Sequence, residues 1–256
     1  LFNFPSPPFD FTGITMDLAE IKNLTQSGQG IYLAPSEQKG YHIILKNDKS
    51  LDVYEITSLN AIYAYDTENG WHWENSAIGN EVFLANYSIP NDCGLVFIED
   101  DLWVEGKVKG KIAIVSADLI DANTETDIWL EGSIEYTTKD GSDGIVLIGQ
   151  HNNLIGLHVP DAMELRGIYI AQTGHFGRNH YPCSWYPSDC KKSSLEIFGA
   201  IVSNGRVGTR WTSGGSWASG FEKRENIYDP QQNFNPPPFL SCVSEEHQFK
   251  EWEEVE

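Results

Sequence analysis

The stretch Asp101-Leu-Trp-Val-Glu-Gly-Lys-Val108 is written a second time at 127–134 as DIWLEGSI, and more loosely at 163–169 as MELRGIY and at 194–201 as SLEIFGAI. Each version runs apolar-x-apolar-x-Gly-x-apolar. The apolar positions are Leu102, Val104 and Val108; Ile128, Leu130 and Ile134; Met163, Leu165 and Tyr169; and Leu195, Ile197 and Ile201. Gly106, Gly132, Gly167 and Gly199 hold the same place in each, at spacings of 26, 35 and 32 residues. Apolar residues at every second position mark strands with one buried face. Strand motifs that return every 20 to 50 residues or so mark a solenoid, in which no coil buries its face alone and each stacks on the next. The glycines fall in phase with the apolar positions. There a missing side chain leaves room for a bulky neighbour, or lets the chain bend at a corner. The alternative is an antiparallel sandwich whose strands share a glycine by coincidence.

Further strand-like runs lie between the copies: KIAIVSA at 111–117, GIVLIG at 144–149 and LIGLHV at 154–159. The uneven spacing requires loops that leave the coil, the longest being 173–192. Before residue 93 the text differs. Leu18, Ile21 and Leu24 in 16–25 have helical spacing, with Gly28 and Gly30 to close the helix. GIYLA, YHIILK, LDVYEI, AIYAYD, WHWEN and EVFLANYSI then read as strands, with a hairpin turn at Asn47–Ser50. The predicted fold is mainly β: a β-solenoid (β-helix-like) domain with an N-terminal helix plus antiparallel sheet. Its regions are 1–92 (helix and sheet), 93–203 (solenoid) and 204–256, a turn-rich capping tail with a closing strand in HQFKEWEEV.

The 256 residues are 40% apolar, enough for a real core. No run of about 18 apolar residues exists to span a membrane as a helix. The opening LFNFPSPPFDFTG lacks the basic and apolar regions of a signal peptide, and reads as a chain that begins after a leader or anchor has been removed. Thirty-seven acidic residues against 17 basic ones give a formal charge of −20. That excess disfavours nucleic acid and anionic membranes as partners, since both need a basic footprint. Four cysteines permit two disulfides in an extracellular setting. Cys183 and Cys190 bracket a short turn-containing loop and make one pair, which leaves Cys93 with Cys242.

A search for chemistry finds little. There is no G-x-S-x-G, phosphate loop or dinucleotide fingerprint, and Gly214–Gly220 reads as loop. His175 and His180 share the long loop with Arg178 at no metal-ligand spacing, and no metal or cofactor is expected. Lys139–Gly144 (KDGSDG) loosely resembles a calcium loop but lacks its closing glutamate, and a turn explains it as well. Glu105 and Glu131 occupy equivalent places before the glycine, where Arg166 and Phe198 follow in the later copies. Stacked, Arg166 would form a surface ion pair with Glu131. Trp103 and Trp129 also share a repeat position, outward by the alternation. They form a possible contact stripe, for the N-terminal region first, otherwise for a partner subunit or a sugar.

Taken in order, FIEDDLWVEGKVKGKIAIVSA, GIVLIGQHNNLIGLHVPDA, SLEIFGAIVSNGRVGT and GFEKRENIYDPQQNFNPPPF resemble bacterial pilin-like surface proteins, which have a prepilin-type N-terminal helix and a β-solenoid ectodomain and are often encoded with type IV pilus components. The resemblance covers about 93–240, and more faintly 16–92. It implies a non-enzymatic extracellular protein, a minor or tip pilin, that meets other pilin subunits and the membrane through an apolar helix not present in these residues. The full-length gene is expected to encode that helix upstream. A β-helix carbohydrate-active enzyme and a glycan-binding adhesin using Trp103 and Trp129 are the alternatives.

Overall fold

Short β-branched runs bounded by glycine and acids become strands throughout the chain, and the fold is mainly β. A computed structural model describes residues 13–90, 94–121, 123–233, 235 and 237. Among the described residues the one short α-helix is α1 (Gly13–Leu24). The strands are β1 (Ile31–Leu33), β2 (Tyr41–Lys46), β3 (Ser50–Asp66), β4 (Gly70–Ser88), β5 (Gly94–Ile98), β6 (Leu102–Val108), β7 (Lys111–Ser116), β8 (Ile128–Tyr136), β9 (Gly144–Gly149), β10 (Asn153–Ile155), β11 (Ala162–Ala171), β12 (Phe176–Gly177), β13 (Lys191–Ser203), β14 (Arg210–Ser213) and β15 (Ser216–Ile227). All 15 belong to one large sheet that also joins the strands on either side of residue 93. The expected Cys93–Cys242 bridge and the expected closing strand at 247–255 lie outside the described residues.

Two runs of parallel pairs organise the sheet. One goes β1-β5-β7-β9-β11 and the other β2-β6-β8-β10-β12. From β5 to β12, successive strands fall alternately into the two runs. β11 then continues in parallel to β13 and β15. The related segments pair two by two. Leu102 lies opposite Ile128, and Val104 opposite Leu130. Met163 lies opposite Leu195, Leu165 opposite Ile197 and Gly167 opposite Gly199. Between the second and third copies the register slips, and Leu165 meets Ile134 instead of Leu130. Leu102, Ile128, Met163 and Leu195 nonetheless share one apolar cluster with Val96, Ile114 and Leu147 of the other run.

Burial on two faces explains the unbroken apolar runs. In β5, β7 and β9, Val96, Ile112, Ile114, Ile145 and Leu147 point into that shared cluster. Leu95, Phe97, Ala113, Val115, Val146 and Ile148 point the other way, into a second cluster containing Leu18 and Ile21 of α1. Parallel strands covered on both sides need apolar residues at every position. Each such side chain contributes roughly 1.5–3 kcal/mol when fully buried.

Three of the four repeat glycines, Gly106, Gly167 and Gly199, lie where the backbone of a neighbouring strand comes close. Gly106 has φ +117° and Gly199 φ +143°, in the region that side chains rarely adopt. A Cβ would sit 2.3 Å from the Leu45 carbonyl oxygen at Gly106, and 1.9 Å from the Gly167 carbonyl oxygen at Gly199. Gly132 differs. Its φ is ordinary, and a Cβ there would meet the mobile end of the Glu105 side chain. Gly106→Ala is therefore expected to lower stability by about 2–4 kcal/mol, from backbone strain plus the clash, and Gly132→Ala by less than about 1 kcal/mol. Urea unfolding midpoints measure the difference. Equal losses at the two sites would contradict the close-approach assignment.

Candidate functional site

β2, β3 and β4 pair antiparallel. β3 and β4 run for 17 and 19 residues and outreach β2, which pairs with β3 only as far as Glu55. Their far halves therefore leave the main sheet as a two-stranded ribbon. Register shifts between Val53 and Ala61 accompany the departure. Ile56, Leu59 and Ile78 of the ribbon pack over Trp103, Trp129 and Leu154. Trp103 and Trp129 are indeed in register, with rings stacked at 6.5 Å. They are not an open stripe, however. Trp103 is 1% and Trp129 6% exposed, and the Trp103 indole N–H donates to the Ser76 carbonyl at 2.6 Å. The contact they make is with their own chain.

Polar groups line the seam under the ribbon. His42 Nδ1 meets Glu81 of β4 at 2.8 Å, and its Nε2 faces Glu105 at 3.7 Å. Burial opposes charge on this imidazole, but attraction to Glu105 and Glu81 outweighs it and raises the His42 pKa. The same contact lowers that of Glu105. Glu131 is half-buried with no such partner, and burial pushes its pKa up to about 7. Arg166 does not pair with Glu131. It is buried, bonds Glu164 at 3.0 Å and Glu196 at 3.3 Å, and lies over the Phe198 ring. The register slip between the second and third copies is the reason, since it sets Arg166 beyond the level of Glu131. In Lys139–Gly144 the carboxylates close turns: Asp140 accepts from Ser142, and Asp143 from Gly110 and Thr138.

The ribbon ends against the long loop. Cys183 and Cys190 form a disulfide. Tyr65 and His180 exchange backbone hydrogen bonds at 3.0 and 2.9 Å, the Tyr186 hydroxyl accepts from the Tyr63 N–H, and Glu74 accepts from Asn179 and the Tyr181 hydroxyl. Cross-strand pairs Tyr63–Trp73 and Tyr65–Trp71 put four aromatic rings on one face of the ribbon. Trp185 of the disulfide loop packs against Tyr63 at 5.2 Å and Trp73 at 5.3 Å. Trp71 meets His180, and Trp211 meets both Tyr65 and His180. The result is a shelf in which Trp71, Trp73 and Trp185 remain 46%, 56% and 54% exposed. Aromatic contacts of this kind contribute roughly 0.5–1.5 kcal/mol each, enough to hold rings rigid while wet.

Beyond Trp211 the shelf opens into a cleft of about 570 Å³, walled by Arg206, Arg210, Arg224, His175 and Asp66, with Arg178 at its floor. That volume is within the range of small-ligand sites. Burial holds the His175 pKa below its ordinary value. Arg178 is a structural fixture, its guanidinium donating to the carbonyls of Gly156, Leu157, Asp189 and Cys190.

No protein-family model matches the chain, and no curated protein or solved structure matches it. Neither shelf nor cleft is evident from the sequence alone. The shelf's signal was present as Tyr-x-Tyr and Trp-x-Trp on either side of Asp66–Gly70. The cleft's arginines come from separate elements with no local pattern.

The Glu131 carboxyl gives a pH test of the seam. A carboxyl whose pKa rises on folding, here from 4.5 to about 7, is neutral in both states in acid and must carry a half-buried charge above neutrality. Stability therefore falls as pH rises across that window. Glu131→Gln is expected to exceed the parent by on the order of 2–3 kcal/mol at pH 8, with the advantage shrinking toward pH 4. Urea melts at both pH values measure it, and a constant difference would refute the assignment.

Proposed function

We propose that this chain is the extracellular part of a pilin-like, type IV pilus-associated surface protein, a minor or tip subunit with a structural and adhesive role and no enzymatic one. The alternation of successive strands between two parallel runs supports reading the core as a β-solenoid, with the ribbon and α1 as additions to it. The disulfide suits an oxidising compartment, and the −20 charge suits a solvated, self-repelling exterior. The likeness of 93–240 to pilin-like ectodomains supplies the filament context.

One observation carries the adhesive part: three exposed tryptophans on a rigid shelf, fixed by a ribbon and a disulfide-closed loop. Exposed apolar area of this kind marks a contact surface. Binding is a better reading than hydrolysis, because Glu105 is tied to His42 and Glu131 is largely covered while the tryptophans are open. Trp73→Ala combined with Trp185→Ala is expected to weaken binding to the glycans that the parent retains on an array by roughly tenfold or more. The melting temperature should stay within a few degrees of the parent's. A parent that binds no glycan, or a double variant that binds unchanged, ends the adhesive reading. Release of reducing ends from those glycans by the parent would end the non-enzymatic one.

A further inference from the structure

The cleft beside the shelf is positive on a strongly negative molecule. The chain has five arginines, and four of them, Arg178, Arg206, Arg210 and Arg224, line this one cavity. Its carboxylates are Asp66 and Glu222. Asp66 is already engaged, accepting from the backbone N–H groups of Glu68 and Asn69 and from the Asn69 side chain. Arg206, Arg210 and Arg224 are exposed, and among the described residues none of them forms an ion pair. Beneath them Arg178 is 1% exposed. It is solvated by four carbonyls and by the rings of Tyr181 and Phe221, and no carboxylate pairs with it among the described residues. Burial lowers the Arg178 pKa and the charges of Tyr181, Asp189 and Glu74 offset that only in part, so an anion in the cleft would add to its stabilisation.

We infer that the cleft binds a carboxylated saccharide, a uronate unit of an acidic polysaccharide, whose carboxylate is gripped by Arg206, Arg210 and Arg224 while neighbouring units lie on the tryptophan shelf. This names the ligand class of the face proposed above and rests on that reading. The planar guanidinium fork matches a carboxylate in bidentate geometry. Trp211 closes the cleft on one side and touches Tyr65 and His180, so cleft and shelf are continuous. A flat sugar ring offers an apolar C–H face to such a surface, as a free anion does not. Dense polyanions fit poorly: nucleic acid binding draws on many neutralised phosphates, and here three arginines without ion pairs among the described residues sit on a chain of charge −20. Charges spaced along a neutral sugar backbone avoid most of that repulsion, which is screened beyond about 8 Å at physiological salt.

Titration calorimetry with a neutral oligosaccharide that carries a single uronate unit, and with its methyl ester, the same chain without charge, tests the inference. The parent is expected to bind the acid roughly tenfold tighter than the ester, with affinity for the acid falling as salt is raised. The triple variant R206Q/R210Q/R224Q changes only exposed side chains and should melt with the parent. It is expected to bind acid and ester alike. Equal binding of both probes by the parent, or a preference for acid kept by the triple variant, overturns the inference. In either case ester binding that still requires Trp73 and Trp185 leaves the adhesive reading standing. If the parent binds neither probe the inference falls, and the glycan array decides the adhesive reading on its own.

Discussion

A strand can pair in parallel with the pass before it and the pass after it only if all three turn the same residues inward. That constraint governs the molecule. It explains why Leu102 lies over Ile128 and Met163 over Leu195, and why β5, β7 and β9, covered on both sides, tolerate almost no polar residue. It also accounts for close approaches between strands, where Gly106 and Gly199 have no space for a side chain. Polar and acidic residues are thereby driven to the outside and to the turns.

A fork at β8 sets up the face that carries the shelf and the cleft. The first half of β8 continues sideways into β10 and β12, while its second half meets β11 through Ile134 and Leu165. The sheet forks at this slip. The disulfide-closed loop rises from the β12 branch, directly after Gly177, and meets the ribbon that β3 and β4 send across the stacked tryptophans. Two excursions from different ends of the chain thus converge. Between them they hold aromatic rings that neither could position alone.

What the sequence discloses follows from how local the physics is. Period-two alternation is a property of eight residues, so the strands of all four copies and their glycines can be read directly. The Cys183–Cys190 bond is equally local. Alternation also turns Trp103 and Trp129 away from the shared cluster, yet it is silent on what covers them, since the cover is Ile56, Leu59 and Ile78 from far earlier in the chain. Arg166 shows the same limit. Equivalence of repeat positions suggests Glu131 as its neighbour, but a slip of four residues decides otherwise, and no local pattern encodes that slip. The cleft is the least legible part, because Arg206, Arg210 and Arg224 gather only once β13, β14 and β15 have formed.

Arg178 ties these parts together. Two of the four carbonyls that solvate it belong to Asp189 and Cys190, and Cys190 is held by its bond to Cys183 across a sequence separation of 7. Closing a ring of that size removes roughly 2–3 kcal/mol of loop freedom from the unfolded chain. Opening it would slacken half the cage around a buried cation and release Trp185 from Trp73 in one event. Cleft floor and aromatic rim are therefore mechanically in series through a single covalent bond. A copy folded under reducing conditions would keep its strands but lose the covalent tie between the cleft floor and the aromatic rim.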